Sequence, residues 1–490
     1  MAHYGYQRLS ALDNTFLVIE SPNALMHVAA TGIFEAGSLA KPGGGIDIER
    51  VSAYVASRLH KIPRYRQRLA YIPVEQHPVW VDDERFNLHY HLRHTSLPRP
   101  GDERLLKRMV GRINSEELDR GKPLWEAWII EGLAGGRFAM VTKVHHCMID
   151  GVSGVDLLSV LLSALPVTTI EEPVRWIPRP TPSPIRLLLD EAVQRVGAPM
   201  GLAARLLREP GAVLDELRDG LGALAETLGA TLHVASATPL NQPIGSHRRF
   251  DWLAMDLAEI GAIRARLGGS LNDVVLAVVA GAIQRFLERR GVTVETLDFR
   301  AFVPVSMRNA GERNGLGNRV ASWIVDLPIA ERDPRKRLTR VTEATTRLKG
   351  SRQARGAEIL TEVVDWTGSA VLSLAMRMAG RAVPYNLVVT NVPGPPAPLY
   401  LLGARMVEIY PMVPLFVNQG LGVALFSYAG RLHWGFNADW DVVPDLHDLV
   451  ADTEASFAEL HHAAATSKSA ASGRRKRLRS NGSAILTDAR

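Results

Sequence analysis

Segments in which apolar and polar residues alternate recur along the chain and predict half-buried β-strands. The first third of the chain contains "MHVAATGIF", "PLWEAWIIEGL" and "FAMVTKVHH". The second half contains "LDFRAFVPVSMR", "NRVASWIVDLP", "NLVVTNVPG", "LGVALFSYAG" and "LHWGFNAD". Because successive side chains of a strand point to opposite faces, each segment can bury one face and leave the other partly accessible.

Helical patterns lie between these strands. "DGVSGVDLLSVLLSAL" reads as a turn followed by a helix, and "GGSLNDVVLAVVAGAIQRFLERRG" (268–291) reads as a long apolar helix. The mixture of strands and helices indicates an α/β fold. We expect no membrane span, since no window reaches the roughly 18 uninterrupted apolar residues that a span needs. The N-terminus lacks the pattern of a secretory signal.

Changes in composition divide the chain into four parts. The segment 166–184 holds six prolines and reads as a linker. We therefore predict an N-terminal lobe over 1–165, the linker with Arg- and Leu-rich amphipathic helices over 166–239, a C-terminal lobe over 240–465, and a tail over 466–490. The amphipathic helices of 185–235 have two interpretations: packing on the body, or a face that lies on a membrane surface.

The formal charge of the 490-residue chain is +6, but it is concentrated in the tail. The segment 467–490 carries seven basic residues and one acid, which is also +6, so the remainder is close to neutral. A nearly neutral body gives no reason to expect nucleic-acid binding. The tail, predicted to be disordered, either contacts anionic lipid headgroups or is a solvated extension. A single cysteine excludes an internal disulfide.

The strongest candidate for chemistry is "VTKVHHCMIDGVSG" (141–154). His145 and His146 are neighbours on a predicted strand, so we expect one to act as a base toward a cavity and the other to hold position. Asp150 is expected to fold back, pair with a buried arginine and fix the loop, while Gly151 relieves crowding in the turn. The alternative is a strand end closed by an Asp-Gly turn, with Asp150 capping the next helix. Cys147 is expected to pack as a small apolar side chain.

Two further polar groups are candidates for a helix cap and for a metal site. In "SLND", Ser270 and Asp273 have the spacing of a capping box, with Asp in the place of Glu. His89, His91 and His94 have a spacing that could hold zinc, but no cysteine or suitably placed carboxylate completes the set. We therefore expect no metal site.

The motif His145-His146-Cys147-Met148-Ile149-Asp150-Gly151 resembles the HHxxxDG signature of CoA-dependent acyltransferases and condensation domains. The stretches "LSALDNTFLVIESPNALMHVAA", "PLWEAWIIEGL", "LNDVVLAVVAGAIQRFL", "FVPVSMR", "GNRVASWIVDLP" and "NLVVTNVPGPPAPLYLLGARM" resemble, in order, the bacterial wax ester synthase/acyl-CoA:diacylglycerol acyltransferase (WS/DGAT) family. The resemblance runs from about residue 8 to 460. It implies two α/β lobes of the chloramphenicol-acetyltransferase type, with an active-site tunnel between them.

The resemblance also implies an activity. A long-chain acyl group would move from acyl-CoA, as substrate and not cofactor, to diacylglycerol or a long-chain alcohol, without an acyl-enzyme. His146 would be the general base, with His145 and Asp150 holding the geometry. Asn272 and Asp273 match a second family motif near the cavity. There Asn272 would help to stabilise the oxyanion, whereas Asp273 stays open between cap and site. Attachment to the inner membrane face or to lipid droplets would be peripheral.

Two alternatives of other kinds accompany this reading. A condensation-type enzyme would use carrier-bound substrates, but the chain holds no carrier domain and its other motifs fit poorly. A non-catalytic lipid-binding relative would have no need of an intact His146 and Asp150. The sequence does not indicate acyl chain length, preferred alcohol or oligomeric state.

Overall fold

The structure of the protein is a computed structural model that describes residues 5–148, 156–191, 211, 234–306, 320–349 and 384–467. Asp150, Gly151 and the tail from residue 468 therefore lie outside the described residues, as does most of the predicted amphipathic segment.

One six-stranded sheet forms the core of the N-terminal lobe, in the order β12-β13-β2-β7-β6-β5. Its strands are β2 His27–Glu35, β5 Leu92–Ser96, β6 Trp125–Leu133, β7 Arg137–His145, β12 Tyr400–Leu401 and β13 Ala404–Met412. The pairs β2–β7 and β6–β7 are antiparallel, and β5–β6 is parallel. β7 is thus central, with both of its edges paired.

A second six-stranded sheet belongs to the C-terminal lobe, in the order β10-β9-β11-β14-β15-β8. Its strands are β8 Arg248–Asp256, β9 Arg300–Ser306, β10 Val320–Asp326, β11 Leu387–Val392, β14 Leu421–Tyr428 and β15 Arg431–Asp439. Strand β11 runs parallel to both neighbours, while the other pairs are antiparallel. The alternating segments predicted as strands are confirmed in both sheets.

A small antiparallel sheet and nine α-helices complete the described elements. The small sheet has the order β1-β4-β3. Its strands are β1 Tyr6–Arg8, β3 Gln67–Tyr71 and β4 Pro78–Asp82. The helices are α1 Ala11–Ile19, α2 Ile48–Arg58, α3 Leu88–His91, α4 Glu103–Ser115, α5 Asp156–Leu161, α6 Leu257–Leu267, α7 Leu271–Arg289, α8 Pro334–Lys349 and α9 Leu446–Thr466, and residues 184–191 are also helical.

Helix α7 is the predicted apolar helix, and it lies in the core of the C-terminal lobe. Its residues from Asp273 to Gln284 are all buried, with Phe286 and Leu287 one turn further on. It packs against α8, α9 and the sheet in one apolar cluster. Within the described residues no single helix is long and apolar enough to cross a membrane. The bent pair α6–α7, with 97° between its helices, meets the length and composition criteria only when combined.

The two lobes are joined by a strand exchange. β13 comes from the C-terminal part of the chain, yet it pairs with β2 in the N-terminal sheet. It crosses β15 so closely that a Cβ on Gly435 would lie 1.8 Å from the Pro411 carbonyl oxygen. Only glycine fits there. The predicted boundaries stay predictions, but the range 240–465 supplies strands to both sheets.

The proline-rich segment lies along the small sheet. Asp82, at the end of β4, accepts hydrogen bonds from the Arg179 backbone N–H (3.0 Å) and guanidinium (3.0 and 3.1 Å). Leu187 packs into the apolar cluster of β3 and β4. Seven large apolar side chains in and next to this segment are nevertheless exposed: Leu165, Val167, Val174, Ile177, Ile185, Leu188 and Leu189.

Candidate active site

His145 is the last residue of β7, and its side chain is 1% exposed. Its Nδ1 accepts a hydrogen bond from the Cys147 backbone N–H at 3.1 Å. Its Nε2 lies 3.2 Å from the Glu20 Oε1 atom, a charge contact whose angle falls outside hydrogen-bond geometry. Because Nδ1 serves as an acceptor and Nε2 faces a carboxylate, the arrangement fits the neutral tautomer that carries its proton on Nε2.

Glu20 follows α1 directly and is held on three sides. Its Oε1 also accepts the Met26 backbone N–H at 2.9 Å, and its Oε2 contacts the Arg120 guanidinium at 2.6 and 3.2 Å. Burial alone would raise the pKa of Glu20. The contacts with His145, Arg120 and the Met26 N–H outweigh burial and lower it to about 2. Glu20 is therefore a carboxylate at neutral pH.

His146 begins a 3₁₀ turn, His146–Met148, where the strand ends. Its backbone N–H donates to the Met26 carbonyl at 2.8 Å, and its ring stacks on Phe16 with centroids 3.8 Å apart and 18° between the planes. Nδ1 is buried and has no hydrogen-bond partner among the described residues. Burial lowers the pKa of His146 to about 4, so at neutral pH the ring is neutral and can accept a proton.

Buried polar side chains support this end of the sheet. Lys143 donates to the carbonyls of Ile113 and Glu116, each at 3.0 Å, and lies 3.4 Å from Glu126. His27, opposite His145 in the β2–β7 register, contacts the Asn114 carbonyl at 3.0 Å. Burial, followed by the nearby Lys143 charge, lowers the pKa of His27 to about 3.

Cys147 lies directly beyond the histidine pair. Its side chain is buried in the apolar cluster of the N-terminal lobe, and burial raises the pKa of its thiol well above the usual value. A protonated, enclosed thiol is a poor nucleophile. The location agrees with a packing role.

Asp273 is buried at the start of α7. The Ser270 N–H donates to its Oδ2 at 2.7 Å, and its own N–H donates to the Ser270 hydroxyl oxygen at 3.2 Å. This is the predicted capping box. The Thr345 hydroxyl of α8 donates to Oδ1 at 2.7 Å. Both carboxylate oxygens are thus engaged: Oδ2 closes the capping box of α7, and Oδ1 joins α7 to α8.

Asn272 is half-buried beside Asp273 and faces a different partner. Its Oδ1 accepts a hydrogen bond from Asn391 Nδ2 at 2.7 Å. Asn391 belongs to β11, in the "NVPG" stretch. Among the described residues, no hydrogen bond, ion pair or ring contact joins Asn272 or Asp273 to His145 or His146, and the two pairs belong to opposite lobes.

Several residues of this site received no role from the sequence: Phe16, Glu20, Met26, Arg120 and Asn391. The first three lie in "LSALDNTFLVIESPNALMHVAA", which carries the family resemblance without pointing to particular side chains. A lone acid inside the apolar run "FLVIESP" is a usable signal, since buried carboxylates need partners. Arg120 and Asn391 lie far away in sequence, and no pattern links them to their partners.

The next candidate is His91, one of the three histidines whose spacing could hold zinc. His91 is buried at the end of α3, stacked between Phe86 and Trp125, with Nδ1 2.8 Å from the Trp125 carbonyl oxygen. The described residues contain no group of three or more histidine, cysteine, aspartate or glutamate side chains that could hold a metal ion.

Comparison with known proteins identifies the family. The sequence profile of the wax ester synthase/diacylglycerol acyltransferase catalytic domain matches residues 9–275, and the profile of the WS/DGAT C-terminal domain matches residues 316–461. The chain belongs to the WS/DGAT family. The resemblance predicted from the motifs is confirmed, and with it the assignment as an acyltransferase enzyme.

Relatives of this WS/DGAT protein match over most of its length. One, from Mycobacterium tuberculosis strain CDC 1551, is named as a diacylglycerol O-acyltransferase and is 35% identical over 90% of this chain and 87% of its own. Another with that name, from strain H37Rv, is 32% identical over 92% of this chain and 95% of its own.

Solved structures confirm the predicted two-lobed α/β fold. The WS/DGAT of Marinobacter aquaeolei VT8 superposes with a TM-score of 0.67 at 26% identity, over 94% of this chain and 100% of that one. The first condensation domain of the calcium-dependent antibiotic synthetase has a TM-score of 0.58 at 16% identity, over 95% and 98% of the two chains. The second likeness concerns the fold alone.

Proposed function

We propose that this WS/DGAT protein transfers a long-chain fatty acyl group from acyl-CoA to the free hydroxyl of diacylglycerol, to a long-chain alcohol, or to both, and that His146 is the general base. The observation that carries the proposal is the state of His146: a neutral imidazole, stacked on Phe16, with a buried nitrogen that has no partner among the described residues. The names of the relatives support diacylglycerol as an acceptor.

The proposed reaction needs one proton acceptor and no covalent enzyme intermediate. His146 takes the proton of the acceptor hydroxyl while its oxygen attacks the thioester carbonyl carbon. The tetrahedral intermediate collapses, the carbon–sulfur bond breaks, and the CoA thiolate receives the proton from the imidazolium. The products are the ester and free CoA. The enclosed thiol of Cys147 supports direct transfer over an acyl-cysteine route.

Supporting residues are assigned different tasks. Asn272 would donate an amide N–H to the oxyanion of the intermediate, since its carbonyl oxygen is already held by Asn391. His145 holds the strand end. Asp150 and Gly151 keep their predicted roles in the loop that follows. Asp273 is a cap and a brace between helices.

A substrate panel tests the proposal. Purified protein is given one long-chain acyl-CoA with diacylglycerol, a long-chain alcohol or a short alcohol, and ester and free CoA are measured together. We expect transfer by wild type, loss of transfer in His146→Ala, and unchanged transfer in the control His462→Ala, which alters an exposed histidine on α9. Similar rates in His146→Ala and wild type would reject the base assignment. Absence of turnover with every alcohol would favour the lipid-binding alternative.

We also propose peripheral attachment to a lipid surface, either the inner membrane face or a droplet. The apolar substrates require it, and the seven exposed apolar side chains between Leu165 and Leu189 support it. The basic tail would add attraction to anionic headgroups. Liposome co-sedimentation of full-length protein and of a variant lacking 466–490, at low and high salt, tests the tail. Equal binding by both proteins at low salt rejects its role.

A further inference from the structure

Glu20 connects the two segments that hold His146. One oxygen, Oε1, lies 3.2 Å from His145 Nε2 and accepts the Met26 N–H at 2.9 Å. The Met26 carbonyl in turn accepts the His146 N–H at 2.8 Å. His145, on the other side, accepts the Cys147 N–H at 3.1 Å. Glu20 thus contacts both His145, which precedes His146 and also holds Cys147, and Met26, whose carbonyl holds the His146 backbone.

The chemistry of these contacts depends on the tautomer of His145. With the proton on Nε2, that N–H lies in electrostatic contact with the Glu20 carboxylate, 3.2 Å away, and Nδ1 is free to accept from Cys147. With the proton on Nδ1, two N–H groups would face each other at Cys147 and a lone pair would face the carboxylate of Glu20. The second arrangement loses both interactions and leaves buried groups unpaired.

We propose that Glu20 is a positioning residue of the reaction: its carboxylate, held by Arg120, fixes His145 in the Nε2–H tautomer and thereby fixes the turn that carries His146. Arg120 completes the arrangement, because its guanidinium contacts Glu20 Oε2 at 2.6 Å and the Leu17 carbonyl at 3.1 Å. As far as catalysis is concerned, the inference rests on the proposed function of His146.

A pocket gives access to this ion pair. It has a volume of about 460 Å³ and reaches both Glu20 and Arg120. Its other lining residues are those of the loop after α4, from Glu116 to Asp119, together with Tyr90, Arg93 and Glu126. A small carboxylate such as formate or acetate fits this volume and can pair with Arg120. Because Glu116, Glu117, Asp119 and Glu126 also line the pocket, the missing group of a truncated Glu20 is supplied from solution only at a high carboxylate concentration.

Chemical rescue is the first test. We expect Glu20→Ala to lower kcat by about 10- to 100-fold, the effect of a misplaced catalytic group, with KM for acyl-CoA little changed. Acetate or formate should restore much of the lost kcat, because it binds Arg120 and places a carboxylate beside the His145 Nε2–H. The reference is chloride at the same ionic strength. A kcat equal to that of wild type overturns the proposal.

Asp82→Ala is the matched control. Asp82 is also a buried carboxylate with a pKa lowered to about 2, against burial, by its hydrogen bonds to Arg179 and Gln67, but it has no contact with the histidine pair. We expect Asp82→Ala to lose thermal stability and keep kcat, with no response to acetate. Equal acetate recovery in both variants would show a general salt effect and overturn the proposal.

The tautomer itself is the second test, and it does not depend on turnover. Long-range ¹H–¹⁵N spectra of ¹⁵N-histidine-labelled protein report which ring nitrogen carries the proton, with His145 assigned from a His145→Asn variant. We expect Nε2–H in wild type and loss of that state in Glu20→Ala. Glu20→Gln, which keeps the volume and removes the charge, serves if the alanine variant does not fold. If His145 keeps Nε2–H in the Glu20 variant, the proposal is wrong. If wild type transfers no acyl group, the proposed function fails, and the spectra still decide this inference.

Discussion

Each lobe contains one pair of neighbouring polar residues that are candidates for the site, and different interactions hold the two pairs in place. His145–His146 ends a central strand of one sheet, and Asn272–Asp273 begins the buried helix α7 of the other lobe. In each pair one member is enclosed by the scaffold: His145 contacts Glu20 and accepts the Cys147 N–H, and Asp273 accepts hydrogen bonds from Ser270 and Thr345. The other member, His146 or Asn272, is the one to which we assign contact with the substrate.

The difference between the pairs lies in charge. The histidine pair is fixed by an ion pair between the half-buried Glu20 and the exposed Arg120, which lie 100 positions apart in sequence. The Asn–Asp pair is fixed by hydroxyl and amide groups, two of them within the same capping box. A site held by charges responds to pH and to the loss of one partner more strongly than a site held by neutral donors. The following predictions test this contrast, beginning with the largest effect.

Removal of the imidazole of His146 is expected to have the largest effect on catalysis. His146→Ala should lower kcat with acyl-CoA and the accepted alcohol by about 10²- to 10⁴-fold, since a general base contributes that much. The melting temperature should change little, because the ring is only half-buried and its Nδ1 has no partner among the described residues to lose. Steady-state kinetics and thermal unfolding measure the two effects. A large loss of stability with a normal kcat would show that His146, like His145, has a structural role and is not the general base.

Loss of the Asn272 amide should have the second largest effect. If Asn272 donates to the oxyanion, Asn272→Ala lowers kcat by about 10²- to 10³-fold. Asn391→Ala should show part of this effect, and the two changes should not add, because Asn391 acts through the Asn272 carbonyl oxygen. Kinetics of the single and double variants form the test. Additive losses would contradict a shared function for the two amides.

The pH dependence of stability should separate the two regions. His27 and His146 have pKa values lowered by burial to about 3 and about 4, so both are neutral in the folded protein and take up a proton in the unfolded chain below about pH 6.5. Their contribution to stability is present above pH 6.5 and is lost as the pH falls toward those values. Between pH 6.5 and 5 we expect a loss of about 2 kcal/mol for each of the two histidines.

Urea unfolding at pH 7 and pH 5 measures this loss in the free energy of unfolding. In His27→Asn, which removes the titrating ring, the difference between the two pH values should be smaller than in wild type. Glu20, whose carboxylate has a pKa of about 2, should not add to the change in this range. If the free energy of unfolding falls between pH 7 and pH 5 by the same amount in His27→Asn as in wild type, the titrating groups at the end of β7 do not control the pH dependence of stability.

Truncation of Asp273 should destabilise the C-terminal lobe by about 2 kcal/mol, the upper range for loss of an N-cap partner. Asp273 serves both as part of the capping box and as the acceptor for Thr345, so Asp273→Ala removes two interactions. Asp256→Ala is the control, because Asp256 caps the exposed start of α6 with a single contact to the Ala258 N–H. The free energies of unfolding of the two variants should differ. Equal values would mean that the hydrogen bond from Thr345 to Asp273 adds nothing measurable to the free energy of unfolding.

The sequence predicted the strands of both sheets, the long helix α7 and the histidine pair because each depends on local periodicity or a contiguous motif. It did not predict that β13 would join the N-terminal sheet. "ARMVEIYPM" alternates in a way that fits the edge of either sheet, and local patterns do not specify a partner strand.

The same limit applies to the site. Glu20 and Arg120 are 100 positions apart, and only the fold brings them to His145. For Asp273, in contrast, the sequence indicates two roles, a cap or a site residue, although Ser270 lies three residues before it. Its engagement as a cap depends on local spacing, but its second partner, Thr345, comes from another helix.

The smallest expected effect tests whether the hydrogen bond from the Thr345 hydroxyl to Asp273 stabilises the lobe by itself. Thr345→Val removes the hydroxyl that donates to Asp273 Oδ1 at 2.7 Å and keeps nearly the same side-chain shape, so we expect a loss of about 1 kcal/mol in the free energy of unfolding. Thr339→Val in the same helix is the control, since the exposed Thr339 hydroxyl donates only to a carbonyl of its own helix, that of Arg335. A loss in Thr345→Val no larger than in Thr339→Val would leave the capping box as the sole support of Asp273. A loss well above about 1 kcal/mol would show that a neutral donor holds the buried Asp273 carboxylate more firmly than an ordinary hydrogen bond does, and the contrast between the two pairs would then be one of position and not of charge.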